Sequence, residues 1–232
     1  MRFRPVPLLF LGAGNPALGD SGASAEWLAL VSLGGPVVAV LLVMSSVALA
    51  VGMYKWLQLR PWRDTALDRV TSAVDRWVGG EPDTARKALT QVDIPFAEIV
   101  VQAMHWLDGG NPDRGAIETE LSRLMQREYD RLNRRLGVLE QVSYLAPLLG
   151  LLGTVLGIIN VFQGLADQGA AADAGLLAGG IWEALITTAV GLCVAIPFAL
   201  LHAALQGRVV AIGAAMQDQL TRLMAADLYR SN

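Results

Sequence analysis

Residues 184–207 read ALITTAVGLCVAIPFALLHAALQG, without one Asp, Glu, Lys or Arg. A hydrocarbon slab about 30 Å thick is crossed by roughly 20 helical residues, so this stretch is long enough to span a bilayer. Two further stretches, 27–54 and 141–166, are equally free of charge. The fold expected is an all-α membrane protein with three transmembrane helices. Composition agrees, since hydrophobic residues make up 53% of the chain and charged ones 17%, against about 45–50% and 25% in soluble domains.

Working outward, the spans divide the chain into an arm at 1–26, a first span at 27–57, a loop at 58–140, a second span at 141–166, a short link at 167–182, a third span at 183–207 and a tail at 208–232. Thirteen of the 18 Lys and Arg residues lie between Lys55 and Arg135, three more in the tail, and none in the link. By the positive-inside rule the loop and tail are cytoplasmic, and the link and N-terminus lie outside, on the periplasmic side if the membrane is a bacterial inner one. The arm has two readings: a signal-like segment, from Arg2, Arg4 and Ala23-Ser24-Ala25, or an external arm rich in Gly and Pro. Trp27 at one end of the first span and Tyr54 and Trp56 at the other form an aromatic belt, and Gly34-Gly35-Pro36 breaks that span.

The loop reads as helices over 62–78 and 83–107, followed by one continuous helix from 113 to 164, about 75 Å long. Leu121, Met125, Leu132, Leu136 and Leu139 supply its apolar stripe. Val209, Ile212, Met216, Leu220 and Leu223 continue the third span as an amphipathic tail beside it. Long helical extensions on the cytoplasmic side follow.

Several function classes are excluded. A formal charge of −3 without a basic run leaves no footprint for nucleic acid. HExxH, CxxC and phosphate-loop patterns are absent, and His105 and His202 stand apart, so no enzyme, metal or cofactor is assigned. Cys193, alone in a span, is read as inert.

The polar residues inside the spans remain. Gly153 and Gly157 form a small-xxx-small pair that lets helices approach closely, with Thr154 and Asn160 adding polar groups nearby. Glu183, Thr187 and Gly191 recur every fourth residue on one face, while Thr188 is turned about 140° from Glu183. Two readings of this set stand: a carboxylate and hydroxyls that relay protons, or an end-cap with threonines bonded back to their own helix.

The stretches GLLGTVLGIINVF at 150–162 and GGIWEALITTAVGLCVAIP at 179–197, in a three-span layout, resemble the ExbB/TolQ/MotA family of proton-channel subunits, the ExbB branch above all. That resemblance implies that Thr154, Glu183 and Thr188 line a proton pathway. Thr187, Asn160, Gly153, Gly157 and Gly191 are secondary pore or helix-contact positions, and Pro147 and Pro197 fall at the family's helix-break prolines. Leu156 departs from the family's frequent tryptophan, and Thr187 from its small apolar residue.

The resemblance further implies a homopentamer around an ExbD-like or TolR-like single-span partner carrying an aspartate, working on a TonB-like protein at the bacterial inner membrane. A TolQ-like role in the Tol-Pal system and a non-conducting scaffold are the alternatives. A solute transporter is disfavoured by three spans without an inverted repeat.

Overall fold

The computed structural model describes the backbone of residues 21–109, 113–168 and 174–230, with side chains over 35–109, 113–166 and 177–226. The arm at 1–20, Asn111-Pro112 and the centre of the link lie outside the described residues. Among the described residues seven helices follow one another: α1 (Ser21–Leu59), α2 (Asp64–Val78), α3 (Pro82–Leu89), α4 (Pro95–Leu107), α5 (Arg114–Asn133), α6 (Leu136–Gln168) and α7 (Ala174–Arg230). No strand occurs among the described residues.

Among the described residues three helices are long and apolar enough to cross a membrane, within Gly35–Val78, Arg114–Ala166 and Leu177–Ala226. The protein is thus an all-α membrane protein, as its charge-free stretches predict. Val43, Phe162 and Leu200 each expose about two thirds of their surface, the expected state of side chains that face lipid or other chains. Val37, Leu41, Ala146 and Ala195 close a small core where the three spans meet.

The first span bends where the sequence says it should. Gly35 takes φ 60 and ψ −159, a left-handed conformation ahead of Pro36 that glycine alone adopts without strain. The helix resumes beyond it, so α1 consists of two helical segments that meet at a kink at Gly35.

The loop helices, α5 and the tail of α7 enclose a larger core. Trp77, Phe96, Met104, Leu132, Leu136, Leu139, Ile212, Met216 and Leu223 are fully buried in it. Burying one such side chain contributes about 2 kcal/mol. Val209 to Leu223 line the tail's inner face at the spacing expected, and α7 runs without interruption from membrane to tail. Between α5 and α7 a groove of about 830 Å³ remains, lined by Met125, Tyr129, Gly213, Gln217 and Met224 among others.

Two expectations need correction. The helix expected over 83–107 is two helices, because Pro95 holds Ile94 extended (φ −135, ψ 142) and the chain turns at 90–94. The single helix expected over 113–164 also divides, at Arg134-Arg135, where Arg135 adopts φ 72. Neither Gly nor Pro stands at that joint. Its cause is tertiary: the ammonium of Lys55, buried at the end of α1, donates to the carbonyls of Leu132 (2.7 Å) and Arg131 (3.5 Å). Carbonyls of a last helical turn lack partners within their own helix, and a cation there ends it favourably. Residues 174–182 of the link are helical, the first turns of α7.

Candidate functional site

The pairing of α6 with α7 is the most extensive in the molecule, and small residues make it possible. Gly150 meets the backbone of Thr188 and Gly191, Gly153 meets Thr187, Gly157 meets Ala184, and Gly180 meets Val161. Contacts step down one helix as they step up the other, as an antiparallel pair requires. A Cβ on Gly157 would lie 2.8 Å from the Ala184 Cβ, and one on Gly191 only 2.6 Å from the Ala146 carbonyl oxygen. Without side chains at these points the helices come close enough for hydroxyls of α7 to reach a main-chain oxygen of α6.

That closeness creates the site. The carbonyl oxygen of Gly150, in buried backbone, accepts from Thr188 Oγ1 at 3.0 Å and from Thr187 Oγ1 at 3.3 Å. Thr187 is buried, and its single proton is shared between Gly150 O and the nearer oxygen of its own helix, Ala184 O at 2.7 Å. Thr154, half-buried one turn beyond Gly150, donates to Leu151 O at 2.7 Å.

A hydroxyl has one proton and two lone pairs. Thr154 and Thr188 have each committed the proton to a backbone carbonyl, so toward anything else they offer lone pairs only. Such a surface accepts hydrogen bonds from a hydronium ion, a water or a protonated carboxyl group. Against an ionised carboxylate it offers nothing.

The residues singled out by sequence divide accordingly. Thr187, Thr188, Gly153 and Gly191 converge on Gly150, and Gly157 extends the same seam. Glu183 does not join them: it is exposed and has no hydrogen-bond or ion-pair partner among the described residues. The face shared by Glu183, Thr187 and Gly191 is therefore split, Ala184 taking the contact with α6 in place of Glu183. Asn160 is exposed as well. Pro147 and Pro197 lie inside α6 and α7, which continue through them. Gly150 itself was quoted in the motif but not singled out, since its contribution is a main-chain oxygen.

No group of three or more His, Cys, Asp or Glu side chains able to hold a metal occurs among the described residues.

The family described as the MotA/TolQ/ExbB proton channel family matches residues 86–218. An ExbB homologue of Methanothermobacter thermautotrophicus is 37% identical over 131 residues, covering 56% of this chain and 44% of the relative. The biopolymer transport protein ExbB of Xanthomonas campestris pv. campestris is 29% identical over 209 residues, covering 80% and 81%. The Tol-Pal system protein TolQ of Haemophilus influenzae is 42% identical over 88 residues, 38% of either chain. The chain thus spans less than half the length of the first and third of these relatives. With more than half of its residues inside the matched region, the chain belongs to the MotA/TolQ/ExbB proton channel family.

Proposed function

We propose that the protein is the channel-forming subunit of an ExbB–ExbD-like motor in a bacterial inner membrane, which turns proton motive force into work on a TonB-like protein. The observation that carries this reading is the pair of hydroxyls, Thr154 and Thr188, whose protons are tied to backbone and whose lone pairs are free. A lining of that kind steadies a carboxyl group in its protonated state. The charge-free cores at 36–54, 141–166 and 184–207 contain no acid of their own. The titrating carboxylate then comes from the single-span partner, around which five copies of the chain assemble.

In this mechanism the partner's carboxylate takes up a proton from the periplasmic side, moves neutral past the threonine ring, and releases it toward the cytoplasmic stalk. Glu183 stands at the outer mouth, where its charge raises the local proton concentration. Each charge that falls through 100 mV releases about 2.3 kcal/mol, so a few protons drive a mechanical step of several kcal/mol. The basic loop and tail face the cytoplasm and both ends of the link face the periplasm, in accord with the distribution of Lys and Arg.

The test is proton flux into liposomes holding the chain and its co-purified partner. Thr188→Ser keeps the hydroxyl and retains flux; Thr188→Val, of the same shape, abolishes most of it. Equal flux from both variants removes the hydroxyl from the pathway, and no flux from an intact wild-type assembly favours the scaffold. The TolQ-like reading rests on the 42% identity to the Haemophilus protein. Co-purification with a TonB-like rather than a TolA-like protein decides between them.

A further inference from the structure

Arg135 is the one described non-glycine residue with a left-handed backbone, φ 72. That conformation costs an L-residue about 1–2 kcal/mol, which glycine would avoid. An arginine kept where glycine is easier points to a task for its side chain. Its guanidinium stacks 5.0 Å above the ring of Tyr54, and Arg60 stacks 5.8 Å above the ring of Trp56. Both rings are about half exposed, at 48% and 56%.

Arg60, Arg134 and Arg135 are exposed, and none has an ion-pair partner among the described residues. Asp130 is engaged by Gln126, and Glu140, the next acid along α6, lies more than a turn beyond the joint. A guanidinium stacked on a ring keeps its fork of N–H donors free at the edge, in the geometry that matches two oxygens of a phosphate. The place matters as much as the chemistry. Tyr54 ends the charge-free run of the first span, and Glu140 precedes that of the second, so these arginines lie at the level of lipid headgroups.

We propose that Arg134 and Arg135 at the α5–α6 joint, with Tyr54 and the Arg60–Trp56 pair on α1, bind the phosphate of an anionic phospholipid in the leaflet on the stalk side. A lipid held there braces the joint between the second span and the stalk. The inference is independent of what the channel conducts.

The probes are short-chain phosphatidylglycerol, short-chain phosphatidylcholine and inorganic phosphate, each titrated onto the full chain in detergent. Phosphatidylglycerol binds in preference to phosphatidylcholine, and each Arg→Gln change at 134 or 135 weakens it about fivefold. Arg135→Gly relieves the backbone, so it melts no lower than wild type while still losing lipid affinity. That combination separates a ligand-binding arginine from a structural one. Equal affinity for the two lipids, affinity unchanged in Arg135→Gly, or displacement by inorganic phosphate at the lipid's own affinity overturns the proposal.

Discussion

Lys55 donates to the main-chain oxygen of Leu132 at 2.7 Å, joining the end of the first span to the end of α5. Its remaining partners are Gln58 Oε1 at 2.8 Å and Arg131 O. Lys55→Met keeps the stem and removes the donor, leaving buried carbonyls unpartnered at a cost of about 1–3 kcal/mol. Hydrogen exchange should accelerate in the last turn of α5 and at the Arg134-Arg135 joint while α2 keeps its protection. Unchanged exchange at the joint would mean that something else ends α5.

The seam between α6 and α7 is tested by a pair of glycines on one helix. Gly191→Ala drives a methyl into the Ala146 carbonyl, where backbone has no room to yield, and should cost about 1–3 kcal/mol. Gly207→Ala meets nothing within 4 Å and should stabilise α7 by about 0.5–1 kcal/mol. Thermal melting of the two purified variants checks the opposite signs.

Thr187 and Thr188 share an acceptor but differ in exposure, Thr187 being buried and Thr188 half-buried. Thr187 is buried against Gly153, so Thr187→Val should lower the melting temperature and leave flux per assembled complex near wild type. Thr188→Val should do the reverse. If both variants lose flux in proportion to their loss of stability, the division between packing and conduction fails.

Glu183, exposed and without a partner among the described residues, is the candidate for tuning proton access. Glu183→Gln should leave the assembly's size unchanged by light scattering and reduce flux in liposomes. A smaller assembly would reassign the residue to contact between copies.

Glu128 gives the stalk a pH dependence. Burial raises its pKa above the ordinary 4.5, the charges of Arg131 and Arg127 opposing the shift. A carboxyl whose folded pKa is raised binds its proton more tightly when folded. Its contribution is therefore fully present below about pH 4.5 and is lost as pH rises through the higher folded value. Glu128→Gln should flatten the melting profile from pH 4.5 upward and stabilise the stalk at neutral pH. Matching profiles for the variant and wild type would show that the burial is relieved in solution.

Much of the fold was legible because its strongest forces act through residue type. Excluding charge from 27–54, 141–166 and 184–207 marks the spans without knowledge of any partner, and the repeat from Val209 to Leu223 marks the tail's inner face. The kink at Gly35-Pro36 was equally plain, since both residues carry their conformational preference with them. Pro95 carried the same kind of signal for the break at 90–94 and was passed over. The joint at Arg134-Arg135 had no local sign, because a lysine far back in the chain makes it.

At the site, residue type picked out the threonines, but helical period alone does not say which face meets a neighbour. Glu183, Thr187 and Gly191 share a stripe on a helical wheel, yet the line of contact with α6 runs through Ala184 and leaves Glu183 outside it. The acceptor that binds two of the hydroxyls is a peptide oxygen, which no side-chain alphabet records.

The continuity of α7 has a mechanical consequence. As a single rod of 57 residues, it is about 85 Å long, so a tilt of about 5° at its membrane end swings its far tip by about 7 Å. A displacement too small to open a gap between tightly apposed glycines is thereby magnified at the far tip. Leverage of this kind needs no hinge and no chemical messenger, only stiffness along the axis.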